Sequence, residues 1–216
     1  MTICVKICGI NTVIAMQAAI EAGASYVGLV FYPPSPRSVS FSEAAILARI
    51  VPNEIKKVGL FVDISNDPLK DIVDQVPLDI LQLHGNETPE RVVKIKDFTG
   101  LPVMKAIHIE TSSDFSAIDK YAGIADQILF DAKAPKDLKS SLPGGNALSF
   151  DWKLFANQPW KNNWMLSGGL NEENIAAAVN TTGARAVDIS SGVEGRPGQK
   201  DPKLINAFIE TVLALS

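Results

Sequence analysis

Short apolar, β-branched runs alternate along this 216-residue chain with stretches of helical spacing. The runs are ICVKIC (3–8), YVGLVFY (26–32), KVGLFVD (57–63), DILQLHG (79–85), PVMKAIHI (102–109), QILFDAK (127–133), WMLSGG (164–169) and ARAVDISSG (184–192). Continuous apolar strands separated by helices argue for a parallel sheet covered by helices. Eight such units in this length predict one (β/α)8 barrel over residues 1–216, at the short end of the usual range. A doubly wound open sheet is the alternative. It would favour a dinucleotide fingerprint after the first strand, but CGIN (8–11) carries one glycine and no GxGxxG.

Helix starts are marked. Asn11 or Thr12 is positioned to cap a helix that runs to about Ala22, with Gly23 as its stop. Ser40 with Glu43 fits a capping box. Asp67-Pro68, Thr88-Pro89 and Asp201-Pro202 each place a capping residue before a proline at the first helical position, and Asn171 opens NEENIAAAVN. Residues 134–149 read as loop, with a short helix resuming at FDWKLFA (150–156).

Bulk properties exclude some functions. A net charge of −4 argues against a nucleic-acid binder, which would usually carry a basic stripe. Cys4 and Cys8 sit four apart in an extended stretch, roughly 13 Å, too far to bridge. A chain without disulfides suits a reducing cytoplasm. The N-terminus shows no signal-peptide pattern, and no apolar run approaches the roughly 20 residues that span a bilayer. Nothing in the sequence sets the oligomeric state.

Barrel enzymes of this architecture draw their active groups from the C-terminal ends of strands and the loops that follow. Those ends are Cys8, Tyr32, Asp63, His84, His108, Asp131, Ser167 and Asp188. Alternation puts Lys6 and Cys8 on one face of the first strand and Ile3, Val5 and Ile7 on the other. The branched set should meet the helices, which turns Lys6 and Cys8 inward. A lysine inside a barrel is costly unless paired, so Lys6 should meet a carboxylate or a ligand. A nearby cation would also favour a Cys8 thiolate. Gln82 and His84 likewise share a face.

Three late glycine-bearing stretches, LSGGLN (166–171) after the seventh strand and DISSGVEG (188–195) and RPGQKD (196–201) after the eighth, lie where barrels often seat phosphate on backbone N–H groups. Arg37 lies in the proline-rich loop after the second strand, either on the surface or at the mouth as a fork for a ligand carboxylate. Cys8 alone reads equally as a small buried hydrophobe, Asp131 as a loop cap or a partner for Lys133, and His84 as a satisfied buried histidine. His108 has no partner motif. The two histidines are far apart in sequence and form no HxH or HExxH, so no metal site is expected.

Taken together, KICGI (6–10), the F-x-P-x-S-x-R-x-V stretch at 31–39, QLHG (82–85), FDAK (130–133), FDW (150–152), LSGGL (166–170) and DISSGVEGRPGQKD (188–201) resemble the phosphoribosylanthranilate isomerase family. The resemblance runs from the first strand to the last helix and implies a (β/α)8 barrel acting in tryptophan biosynthesis without a cofactor. The implied reaction is the Amadori rearrangement of N-(5-phosphoribosyl)anthranilate to 1-(2-carboxyphenylamino)-1-deoxyribulose 5-phosphate. The resemblance assigns Cys8 as general base and Asp131 as general acid, Arg37 to the anthranilate carboxylate, and Gly168, Gly169, Ser191 and Gly192 to the phosphate. His84 and Asp188 join them as candidate substrate contacts. In GGNALSFDW (144–152), Ala147 and Leu148 depart from the family's usual glycine and polar residues. Other phosphate-binding barrel enzymes, or a non-catalytic phosphosugar sensor, are the competing functions. The sensor need not keep both Cys8 and Asp131.

Overall fold

The computed structural model describes residues 2–132, 151–155 and 163–215. Eight parallel strands close in sequence order into a barrel: β1 (Cys4–Cys8), β2 (Tyr26–Val30), β3 (Lys56–Phe61), β4 (Ile80–Leu83), β5 (Val103–Ile109), β6 (Gln127–Ala132), β7 (Trp164–Leu166) and β8 (Ala186–Ile189). Helices α1 (Val13–Glu21), α2 (Phe41–Arg49), α3 (Asn66–Gln75), α4 (Pro89–Thr99), α5 (Ser116–Tyr121), α6 (Ile175–Thr182) and α7 (Pro202–Leu213) lie between and after the strands. A 3₁₀ turn, Trp152–Phe155, lies between β6 and β7. No helix among the described residues is long and apolar enough to cross a membrane.

Alternation sorts the core as expected. Ile3, Val5 and Ile7 join the buried layer that the strands share with helix residues such as Met16, Leu47 and Phe208. Met104, Ala106, Leu129, Met165 and Ala186 form a separate cluster with the inward Cys4 packed against it. Phe155 of the 3₁₀ turn stacks on Trp164 at 5.7 Å and meets Phe130 edge-on at 5.1 Å, which anchors that connection to β6 and β7.

Four of the expected caps form directly. Thr12 Oγ1 accepts from Ala15 N–H, Ser40 and Glu43 make a reciprocal capping box, and Thr88 caps α4 ahead of Pro89. Asp201 does the same for α7. Two expectations need correction. α3 starts one residue before Asp67, so Pro68 falls at its third position, where the proline's missing N–H is still one that a helix leaves unpaired. α6 starts at Ile175 rather than at Asn171, because Asn171 and Asn174 hydrogen-bond reciprocally and hold residues 171–174 as a turn. Ala147, Leu148 and the whole loop at 134–149 fall outside the described residues, as do Lys133 and Phe150.

Candidate active site

A pocket of about 760 Å³, its open mouth included, occupies the C-terminal end of the barrel. Cys8, Arg37, His84, Asp131, Gly168, Gly169, Asp188 and Ser191 all line it. Gly192 does not. Its position is a packing requirement, because a Cβ there would lie 2.1 Å from the Leu170 carbonyl oxygen and force the β7 and β8 loops apart. Of the other strand ends, Tyr32 and Ser167 also face the pocket, whereas Asp63 and His108 are not among its lining.

Strand register builds the floor. Lys6 lies directly opposite Asp188 across the β1–β8 pair. Its ammonium donates to Asp188 Oδ1 at 2.7 Å, with no solvent exposure. Ser167 Oγ donates to Asp188 Oδ2 at 3.0 Å. Both carboxylate oxygens are therefore engaged within the protein, which makes Asp188 an anchor for Lys6 before it is a ligand contact. Burial opposes the Lys6 charge, yet the fields of Asp188 and Cys8 outweigh it and hold Lys6 above its ordinary range. Gly28 on β2 supplies the room. A Cβ at that position would lie 3.0 Å from Cys8 Sγ and 3.2 Å from Lys6 Nζ.

Cys8 is 4% exposed. The expectation that Lys6 would favour its thiolate is only half met. Burial pushes the thiol up, Lys6 pulls it down, and Asp188 pushes it up again, so the net direction is upward.

On the far wall, Gln82, His84 and Asp131 form a chain. Gln82 Nε2 lies 2.8 Å from His84 Nδ1, and His84 Nε2 lies 3.1 Å from Asp131 Oδ2. With the Gln82 amide donating to Nδ1, the neutral imidazole carries its proton on Nε2 and aims it at Asp131. Asp131 Oδ1 accepts from the Ala132 N–H at 2.9 Å. His84 is thus the partner of Asp131, a pairing the sequence left between two readings. The separation of the histidines along the chain also proves a poor guide to space. His84, His108 and Asp131 bring donor atoms within 4.8 Å of one another, a set that could hold a metal ion, although His84 Nε2 and Asp131 Oδ2 already engage each other.

Arg37 is 6% exposed, so the surface reading does not hold. Its guanidinium forks onto a protein carboxylate: Nε donates to Glu194 Oε1 at 2.7 Å and Nη2 to Glu194 Oε2 at 2.9 Å. Glu194 was missed from sequence, whereas Lys6 was expected to face inward onto a carboxylate and does so, and Gln82 was placed on the His84 face without a role. Gly9, with φ +78°, turns the chain out of β1, and a Cβ there would lie 2.7 Å from Arg37 Cδ. At the opposite rim, Gly168 and Gly169 take φ values of +93° and +63°, conformations that side-chain-bearing residues rarely adopt. Both line the pocket, and at Gly168 a Cβ would lie 2.8 Å from the Ala132 backbone nitrogen at the end of β6.

The family model for N-(5′-phosphoribosyl)anthranilate (PRA) isomerase matches residues 5–211. The chain belongs to that family. Relatives named N-(5′-phosphoribosyl)anthranilate isomerase include one from Rhodospirillum centenum, 54% identical over 215 residues covering 100% of both chains, and one from Paramagnetospirillum magneticum, 52% identical over 97% of both. Among solved structures, phosphoribosyl anthranilate isomerase from Thermotoga maritima superposes with a TM-score of 0.88 at 35% identity, covering 99% of this chain and 100% of that one. A phosphoribosyl anthranilate isomerase in complex with reduced 1-(o-carboxyphenylamino)-1-deoxyribulose 5-phosphate superposes with a TM-score of 0.84 at 34% identity, with the same coverage. The isomerase family and the barrel implied by the sequence motifs both hold.

Proposed function

We propose that Cys8 and Asp131 carry out the family's isomerisation as general base and general acid. Family membership makes the chain an aldose–ketose isomerase of tryptophan biosynthesis. The observation that carries the assignment of roles is that one pocket is shared by a thiol at the end of β1, a carboxyl at the end of β6, and glycine-rich loops after β7 and β8.

The chemistry asks for two proton movements. The furanose ring oxygen of the aminoaldose takes a proton as the ring opens to a Schiff base, and Asp131 supplies it. A proton then leaves C2′, and Cys8 takes it. The C2′–H electron pair becomes the C1′–C2′ double bond while the iminium nitrogen accepts the displaced pair, giving an enolamine. Tautomerisation to the ketone completes the rearrangement with no net change of oxidation state. His84 supports Asp131 in either protonation state. A carboxylate accepts from His84 Nε2–H. A carboxylic acid donates to the unprotonated Nε2, whose Nδ1–H then requires an oxygen from Gln82. The Gln82 Oε1 atom is buried without a partner when Nε2 faces the ring, so turning the amide costs no existing hydrogen bond of that oxygen. Arg37 takes the anthranilate carboxylate. The backbone of Gly168, Gly169 and the turn Ser191–Val193 seats the phosphate.

The test is a fluorescence assay following loss of the anthranilate amine from freshly made substrate, with product removed by a coupled synthase. Cys8→Ala and Asp131→Asn should each lower kcat by about 10²-fold or more while phosphate-ligand affinity changes far less. Near-normal turnover in both variants would sink the assignment.

A further inference from the structure

After β8 the chain makes a small antiparallel hairpin, β9 (Glu194–Arg196) with β10 (Gln199–Lys200), beside the pocket mouth. Its first residue is the hub of a buried charge cluster. Glu194 Oε1 accepts from Arg37 Nε at 2.7 Å and from Lys200 Nζ at 2.5 Å, and Oε2 accepts from Arg37 Nη2 at 2.9 Å and from the Gly198 N–H at 3.1 Å. Four donors on two oxygens saturate the carboxylate, whose side chain is 4% exposed. Burial works against its ionisation, but the bonds and charges of Arg37 and Lys200 prevail and hold Glu194 below the usual carboxylate range. A carboxylate so fully engaged has no lone pair left for a ligand. What it does have is a rigid grip on the Nε–Nη2 edge of Arg37.

The surrounding fold shapes a slot for that arginine. Gly9 on one side leaves no room for a side chain against Arg37 Cδ. On the other side the hairpin turn at Gly198 presses on the loop that carries Arg37, and a Cβ there would lie 2.4 Å from the Pro36 carbonyl oxygen. Asn11 Nδ2 donates to the Gly198 carbonyl at 2.9 Å and ties the turn to the β1 loop. Lys200 also donates to the Ser190 carbonyl at 3.0 Å and to Ser190 Oγ at 3.2 Å, and Ser190 Oγ donates to the Cys8 carbonyl at 3.0 Å. The hairpin therefore links three loops, and its cluster runs from Arg37 to the backbone of Cys8.

We propose that Glu194 is a positioning residue: it fixes the plane and reach of the Arg37 guanidinium so that the arginine meets the carboxylate of the substrate's aromatic ring already ordered. A long arginine side chain otherwise loses much rotamer freedom when it is immobilised on a ligand. Glu194 and the two glycines impose that order in the free enzyme. The inference rests on the reading of Arg37 given above and is tested separately from it.

The experiment compares two ligands by titration calorimetry: the product, 1-(2-carboxyphenylamino)-1-deoxyribulose 5-phosphate, and the same compound without its carboxyl group, 1-phenylamino-1-deoxyribulose 5-phosphate. Glu194→Gln should weaken the product by about 10-fold or more, the scale of one charge-assisted hydrogen bond, and the descarboxy compound by less than about 2-fold. KM for substrate should rise more than kcat falls. Arg37→Ala should show the same selectivity, and Arg37→Ala with Glu194→Gln should add little to it. Because both ligands bind only folded protein, the ratio of affinities is insensitive to a smaller folded fraction. If Glu194→Gln does not fold, Glu194→Gln with Lys200→Met removes both members of the hairpin ion pair and should read the same ratio. Equal losses for both ligands, or none for either, in a background where Arg37→Ala is selective, would overturn the positioning role. An unselective Arg37→Ala would remove the carboxylate reading of Arg37 and the positioning role together.

Discussion

Of the buried lysine–carboxylate pairs around the barrel, Lys6–Asp188 and Lys105–Glu87 do different work. Lys6 pairs with Asp188 at 2.7 Å, and Lys105 pairs with Glu87 at 3.1 Å. Lysine exposure is 0% and 3%, respectively. The difference lies in where each ammonium's remaining donors go. Lys105 also meets three backbone carbonyls, those of Leu83 at 3.2 Å, Gly85 at 2.8 Å and Ala106 at 3.0 Å. Glu87 in turn accepts from the backbone N–H of Asp63 and of Gly85. That pair fixes the chain on both sides of His84 and lies outside the pocket lining. Lys6 has no carbonyl partner among the described residues, and its charge acts on the Cys8 thiol, pulling it down. One pair is spent on backbone and holds a strand end in place. The other has charge left to act on a reactive group.

The sharpest way to break this comparison is through the pH dependence of kcat/KM. The base must be deprotonated, and burial has pushed Cys8 upward, so activity should rise with pH on the alkaline side. The Lys6 charge lowers the thiol, so Lys6→Met should move that limb to higher pH and reduce kcat/KM at neutral pH by about 10²-fold. Asp188 acts with the opposite sign and less strongly, so Asp188→Asn should move the limb to lower pH. Profiles for both variants check the signs. A limb that stays in place in both would mean that the Lys6–Asp188 pair is as structural as the other one.

The second expectation concerns stability. Lys105→Met leaves Glu87 buried without its cation and strips three carbonyls of a donor, so unfolding free energy should fall by about 3–5 kcal/mol. Denaturant titration measures it. The alkaline limb of kcat/KM should stay where it is, since Lys105 is not among the groups acting on Cys8. A shifted limb in Lys105→Met would erase the distinction between the pairs.

These pairs also mark how far the sequence could be read. Period-two alternation turned Lys6 inward and demanded a partner, but only the β1–β8 register, 182 residues apart, names Asp188. The same limit applies to Arg37. Its loop and its capacity to fork were visible, while Glu194 lies 157 residues away in a hairpin whose contacts depend on barrel closure. Strand ends were legible because apolar runs stop there, and they brought Cys8, His84, Asp131 and Asp188 to one pocket. Helix starts were legible where a single side chain caps the next turn, as at Thr12, Ser40 and Thr88. At Asn171 local capping chemistry was present but closed a turn with Asn174 instead, an outcome set by two side chains acting on each other. Gln82 was seen to share a face with His84, yet its role needed the tautomer chain that ends at Asp131.

The smallest expected effect refines the comparison from inside the active pair. Ser167→Ala removes one hydrogen bond, from Oγ to Asp188 Oδ2, and leaves the ion pair itself intact. A hydrogen bond to a charged group contributes about 1.5–3 kcal/mol, and an orphaned buried carboxylate oxygen lies in that range. Stability should fall by about that amount. The Lys6–Asp188 ion pair itself persists, and its opposing pushes on the Cys8 thiol persist with it. The alkaline limb should therefore stay where the unsubstituted enzyme has it, in contrast to Asp188→Asn. A limb displaced upward in Ser167→Ala would show instead that Lys6 shifts toward the bared oxygen and away from Cys8.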